Sequence, residues 1–183
     1  MYRPRRLLVL VIIGLVYIVM GKLGLRLAFL HASATPVWPP SGIALASMLT
    51  LGVWVWPSIL VGAFVVNLTT AGTVWTSLGI AVGNTLEAVV GSLLVNRFAR
   101  GQAAFFRTRD VFRFALLAGM GSTTVSATIG LVVLCAQGLA TWNAAGPIWL
   151  TWWLGDAVGV CLFAPLLVLW ARRERMNWAQ LSE

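Results

Sequence analysis

The chain has 183 residues, 60% of them hydrophobic and only 10% charged; a soluble domain carries about 25% charged residues, so a water-soluble globule is excluded. The length suits one domain, and the apolar excess makes lipid its solvent. The net charge is +8, but the arginines sit in three short clusters beside apolar runs, which is a membrane-topology pattern and not a nucleic-acid stripe.

Arg3, Arg5 and Arg6 precede an apolar run that no convincing cleavage site follows, so it reads as an uncleaved first span and not as a secretion signal. This span runs from residue 7 to about residue 30 and carries Lys22 and Arg26 in its second half. Next comes Thr35-Pro36-Val37-Trp38-Pro39-Pro40-Ser41-Gly42. Each proline lacks an N–H and fixes φ, so a rigid aromatic corner is expected here, with Ser41 as N-cap of the helix beyond it. As one straight helix, residues 42–70 would reach about 43 Å, against a hydrocarbon core of about 30 Å. Gly52 and Pro57 interrupt that stretch, with Trp54 and Trp56 between them, so two short helices are predicted, 41–53 and 57–68. Later spans are predicted at 74–95, 110–135 and 147–170.

Charge sets the number of crossings. With 42–70 split in two, Arg3, Arg5 and Arg6, the loop with Arg97, Arg100, Arg107, Arg109 and Arg113, and the cluster Arg172, Arg173 and Arg175 all fall on one side. The other three loops contain no Lys or Arg. The positive-inside rule then gives about six crossings with both termini cytoplasmic. The expected fold is an all-α, polytopic transmembrane helix bundle that includes two short Pro/Gly-interrupted helices. Each of these reaches only about 18–20 Å, so the pair either crosses obliquely or re-enters.

Four charged residues fall within the predicted spans: Lys22, Arg26, Glu87 and Asp156. Measured from the outer helix ends, Lys22 and Asp156 lie roughly 12 Å deep, Arg26 about 6 Å and Glu87 about 18 Å. An unpaired charge at depth costs at least ~3 kcal/mol, so these groups are expected to face the bundle interior as buried charge partners, with a pairing such as Lys22–Asp156. Gly79, Gly83, Glu87 and Gly91 recur every four residues and place Glu87, with Asn84 beside it, on a small-residue stripe. Trp149, Trp152 and Trp153 precede Asp156 at helical spacings, and Gly155 and Gly159 form a GxxxG pair. Two readings stay open: a charge pair that only holds the bundle in register, or a pocket open to the outside, walled by Trp38, Trp152 and Trp153 and lined by Asn67, Asn84, Glu87 and Asp156.

Other residues read more simply. Trp54, Trp56, Trp142 and Trp170 suit interfacial belts. His31 suits a solvated helix end and Asp110 an N-cap. Cys135 and Cys161 lack metal or redox spacing and read as small packing residues. No metal cluster, nucleophile–base pair or phosphate loop stands out, so neither a catalytic residue nor a cofactor is expected.

Six segments carry a resemblance: TPVWPPSGIALA (35–46), GAFVVNLT (62–69), GNTLEAVVG (83–91), DVFRFALLAG (110–119), VSATIG (125–130) and WLTWWLGDAVGVCLFAPLLVLW (149–170). In this order they resemble the bacterial MASE-type membrane-associated sensor domain, type one. The resemblance implies a sensory module of the bacterial inner membrane, which in that family usually precedes a histidine kinase, diguanylate cyclase or phosphodiesterase. It carries the family's recurring positions onto Trp38, Pro39, Pro40, Asn67, Asn84, Glu87, Trp152, Trp153 and Asp156 as ligand-binding candidates. Family members usually carry about eight spans, and nothing after Trp170 could hold a kinase or cyclase. A single membrane domain over 1–183 is therefore expected, with a short tail at 171–183 and no enzymatic output of its own. The expected partners are the lipid bilayer, an unidentified small solute and a kinase or cyclase; a homodimer stays open, and no nucleic acid is expected. The alternative is a substrate-binding membrane subunit of a small-molecule uptake transporter, since short, interrupted helices also mark such sites.

Overall fold

The computed structural model of the chain describes residues 4–28 and 32–181, with side chains as far as Arg173. Arg3 and His31 lie outside the described residues, as does the side chain of Arg175. The helices are α1 (Pro4–Leu25), α2 (Pro39–Leu51), α3 (Trp56–Leu68), α4 (Val74–Phe98), α5 (Thr108–Phe114), α6 (Thr123–Ala136) and α7 (Ala145–Leu181). A π-helical segment, Ala115–Ser122, joins α5 to α6. No strand occurs among the described residues. Four helical rods are long and apolar enough to cross a bilayer: Pro4–Leu25, Val74–Phe98, Thr108–Ala136 and Trp142–Arg173. Val53–Leu68 is a shorter apolar helix.

Local chemistry sets the boundaries. The prolines do not exclude the helix from the corner, as the sequence suggested; Pro39 and Pro40 occupy the first turn of α2. Their missing N–H groups would be unpaired there anyway, and their fixed φ is already helical. Trp38, not Ser41, is the N-cap residue, and it caps without a side-chain hydrogen bond. α2 stops at Gly52, whose φ of 102° is accessible to glycine at little cost. The Trp54 indole N–H donates to the Leu51 carbonyl at 2.7 Å and satisfies one acceptor at that helix end. α3 follows with Pro57 in its first turn. Thr73 opens α4 through a reciprocal capping box with Thr76, which pairs two otherwise orphaned groups.

The bundle is apolar outside and polar within. α1 exposes Leu8, Val11, Leu15 and Val19, whereas α4 buries Thr76, Ser77, Asn84, Glu87 and Ser92. A surface of this kind is stable against lipid, where polar groups must find partners inside the protein. Gly79 and Gly83 of α4 sit against Val133 and Ile129 of α6, and Gly91 against Ser122 of the π-helical segment. Small residues thus let these two rods approach closely. Both cysteines are free thiols, Cys135 buried and Cys161 on the apolar exterior.

Contacts between helix ends collect at two poles. At one pole the Arg6 guanidinium lies 5.3 Å from the Trp54 ring, Gln102 donates to the Leu49 carbonyl, Arg172 donates to the Gln102 carbonyl and Arg113 to the Phe98 carbonyl. At the other pole Thr35 of the corner donates to Gly24 at the end of α1, and Lys22 donates to Thr70 beyond α3. Arg6, Arg113 and Arg172, one from each basic cluster, therefore share one pole. Asp110 lies there too, and it is not the N-cap the sequence suggested. Arg107 holds the cap position of α5. The Asp110 carboxylate is fully buried, with Arg113, Arg109 and Arg100 at 3.6, 3.8 and 4.0 Å. Three arginines around one acid explain the burial better than a helix start does.

A polar cleft beneath the proline corner

The proline corner is clamped onto α7 through backbone. The Trp38 N–H donates to the Gly155 carbonyl at 2.9 Å. A β-carbon on Gly155 would overlap the Thr35 carbonyl, one on Gly159 the Trp38 carbonyl, and one on Gly42 the Gly159 carbonyl. Only glycine permits this approach, so the Gly155/Gly159 pair serves contact between α7 and the corner. The Trp38 ring packs edge-on to Tyr17 of α1, with centroids 6.4 Å apart.

With Trp38 at the cap position, the Ser41 hydroxyl is free to leave its own helix. It donates to Asp156 Oδ1 at 2.9 Å and joins α2 to α7. A second chain of bonds runs from α7 through α6 to α4: the Trp152 indole N–H donates to Ser126 Oγ at 3.2 Å, and Ser126 donates to Asn84 Oδ1 at 3.1 Å. Asn84 and Asn67 each turn the amide nitrogen back to their own helix, onto the Ile80 and Ala63 carbonyls. Asp156 is fully buried and Glu87 is 2% exposed. Asp156 Oδ2 and both Glu87 oxygens lack a hydrogen-bond partner. The polar neighbours of Glu87 include Ser41, Ser126, Asp156 and Tyr17.

These residues enclose a narrow cleft. Ser33, Thr35 and Trp38 contribute from the corner, Asn67 from α3, Ile80 and Asn84 from α4, and Trp152 and Asp156 from α7. Its free volume is about 10 Å³, roughly the space of one water molecule. Of the two readings the sequence left open, one was an outwardly open pocket; the structure holds a narrow cleft at that place, between Trp38 and Trp152.

Of the sequence-derived candidates, Trp38, Asn67, Asn84, Trp152 and Asp156 line the cleft, and Glu87 lies next to Asp156. Pro39 and Pro40 build the first turn of α2 but do not line it. Trp153 faces elsewhere: it stacks on Trp149 with ring centroids 5.9 Å apart and donates to the Met120 carbonyl. The expected Lys22–Asp156 pair does not form. Lys22 donates to the Val66 carbonyl at 3.2 Å and Thr70 Oγ1 at 2.8 Å, and Arg26 is exposed. Among the described residues, neither buried acid has a cationic partner. Lys22 escapes the apolar depth by reaching along α3 to the Val66 carbonyl in its last turn, at the negative end of the helix dipole, and to the Thr70 hydroxyl beyond it. Ser41 and Ser126 were missed as site residues: Ser41 read as a cap, and Ser126 has no spacing that relates it to an acid.

No curated protein and no solved structure matches the chain. The family model MASE1 matches residues 9–182, nearly the whole chain and all the helices that build the cleft, so the chain belongs to the MASE1 family of membrane-associated sensor domains.

Proposed function

We propose that the chain is the non-catalytic input module of a bacterial inner-membrane signalling receptor, and that the cleft under the proline corner is its input site. The observation that carries this reading is the Ser41–Asp156 hydrogen bond. It joins the short helix α2, which is anchored to the corner, to α7, which continues as one helix to Leu181. From Asp156 to the end of α7 is about 37 Å at 1.5 Å per residue, so the helix holding the cleft acid also reaches the basic pole. Pro165 lies between the two; it removes one backbone hydrogen bond and supplies a point of bending.

The gathering of the basic clusters at one pole supports six crossings, with that pole and both termini cytoplasmic. In that orientation the corner and the cleft beneath it face the periplasm. A small solute that entered it would have to part Trp38 from Trp152, and could shift the balance between closed and open forms only by its differential affinity for them. The shift of α7 would be read by a histidine kinase, or by a cyclase or phosphodiesterase of cyclic-di-GMP signalling, attached to it or bound as a partner.

The test is a reporter fusion of α7 to a soluble diguanylate cyclase, with output compared between wild type, Ser41→Ala and Asp156→Asn at matched membrane levels. Several-fold changes of output in the cleft variants are expected. Unchanged output in both variants, with normal insertion, would sink the assignment of the cleft as input site.

A further inference from the structure

Hydrogen-bond donors and acceptors are unevenly matched around the cleft. Most donors at its rim are engaged, the buried Tyr17 hydroxyl near the two acids being an exception. Ser41 gives its proton to Asp156, Trp152 to Ser126, and Ser126 to Asn84. Thr35 donates to the Gly24 carbonyl. The amide nitrogens of Asn67 and Asn84 bond to carbonyls of their own helices, which turns their Oδ1 atoms the other way. The acceptors, in contrast, are in excess. Asp156 lines the cleft with Oδ2 unbonded and fully buried, and Glu87 beside it has both oxygens unbonded. Among the described residues no cation approaches either acid.

A site rich in acceptors and poor in donors, with buried acid at its base and tryptophan on its walls, excludes anions and suits a cation that donates. An alkylammonium group has three N–H donors and no acceptor, is about the size of a water molecule, and is attracted by aromatic faces. We propose that the cleft receives the ammonium group of a protonated primary amine, held by Asp156 Oδ2 and the Asn67 and Asn84 carbonyl oxygens between Trp38 and Trp152. This rests on the cleft being the input site. Entry of the ammonium group would supply the positive charge that Lys22 does not bring to Asp156, and the amine's carbon chain would extend toward Ser33 and the corner.

Methylammonium chloride is the probe, added to purified protein in nanodiscs, with sodium chloride and tetramethylammonium chloride at equal ionic strength as controls. The readout is the thermal unfolding midpoint. A saturable rise is expected with methylammonium alone, because sodium lacks the N–H geometry and tetramethylammonium has no N–H to donate. Asp156→Asn is expected to abolish the rise, and Asn67→Ala to weaken apparent affinity at least tenfold. Should Asp156→Asn fail to fold, Asn67→Ala decides. An equal rise with sodium or tetramethylammonium, or wild-type saturation in the folded variants, overturns the assignment. The assay involves no output domain. A null here, with cleft-dependent output in the cyclase fusion, overturns the amine alone; saturable binding with cleft-independent output overturns the input-site reading alone.

Discussion

Gly159 lies so close beneath Trp38 that a β-carbon there would overlap the Trp38 carbonyl oxygen. The obstacle is backbone on both sides and cannot rotate away. Overpacking a well-packed interior costs about 1–3 kcal/mol, and a backbone clash belongs at the upper end. Gly159→Ala is therefore expected to lower the unfolding midpoint clearly. Gly146, at the start of the same helix, has nothing within 4 Å of its would-be β-carbon, so Gly146→Ala is expected to be neutral or stabilising through helix propensity. Equal midpoints for the two variants would show that α7 does not pack on the corner as described.

The reach of sequence reasoning differs between fold and site. The helices were legible because apolar runs broken by Gly52, Pro57 and the corner leave few alternatives. The small-residue stripe of α4 was legible because Gly79, Gly83 and Gly91 recur at helical spacing. Hydrogen-bond direction was not. Whether Ser41 caps α2 or crosses to Asp156 depends on where the helix starts, and two prolines at its first turn moved that start by two residues. Whether Lys22 meets Asp156 depends on side-chain reach: both sit at similar depth, yet the ammonium bonds the Val66 carbonyl and the Thr70 hydroxyl at the end of α3. Depth along a helix axis can be estimated from sequence, but direction around that axis cannot until the neighbours are known.

Ser41 and Asp156 separate structure from signalling. Ser41→Ala would remove the one hydrogen bond of a fully buried carboxyl group, and a buried group left without a partner costs about 1–3 kcal/mol. Asp156→Asn keeps an acceptor for the Ser41 hydroxyl and removes a buried acid that has no cationic partner among the described residues. It is expected to unfold no earlier than wild type, whereas Ser41→Ala unfolds earlier. A fall in Asp156→Asn as large as that in Ser41→Ala would mean that the carboxyl group serves packing.

Lys22 provides a control on the same cleft. Its ammonium bonds Val66 O and Thr70 Oγ1 and neither acid. Lys22→Met is expected to cost below about 1 kcal/mol, since a partly exposed hydrogen bond contributes roughly that much. Reporter output should stay at the wild-type level. Output that tracks Asp156→Asn instead would place the lysine in the input site.

Asp110 is the acid at the basic pole. Its three arginines have side chains 45–70% exposed, so each pair contributes roughly 0.2–1 kcal/mol, and three contribute about 1–2 kcal/mol. Asp110→Asn is expected to lose that amount. Part of the wild-type advantage should vanish at high salt, because exposed charges are screened. Thermal unfolding at low and high salt checks both, and an Asp110→Asn deficit that salt leaves untouched would show that the contribution is packing and not charge.

Single cysteines test the crossing number directly, in a background with Cys135 and Cys161 replaced by alanine. Gln102 lies at the basic pole, where it bonds the Leu49 carbonyl and its own carbonyl accepts from Arg172. Gly138 lies in the turn after α6, with open space around it. Six crossings with cytoplasmic termini require Gln102→Cys to react only after the membrane is opened to a charged maleimide, and Gly138→Cys to react in intact spheroplasts. Thr70, which bonds Lys22 beyond the end of α3, is the decisive position, because one crossing over residues 42–70 and a pair of helices that returns the chain to the outer face place it on opposite sides. Thr70→Cys should label from outside together with Gly138→Cys if α3 brings the chain back to the outer face. Labelling of Thr70→Cys only in opened membranes would leave five crossings and place the arginine loop on the periplasmic side, against the charge rule that supports the proposed orientation.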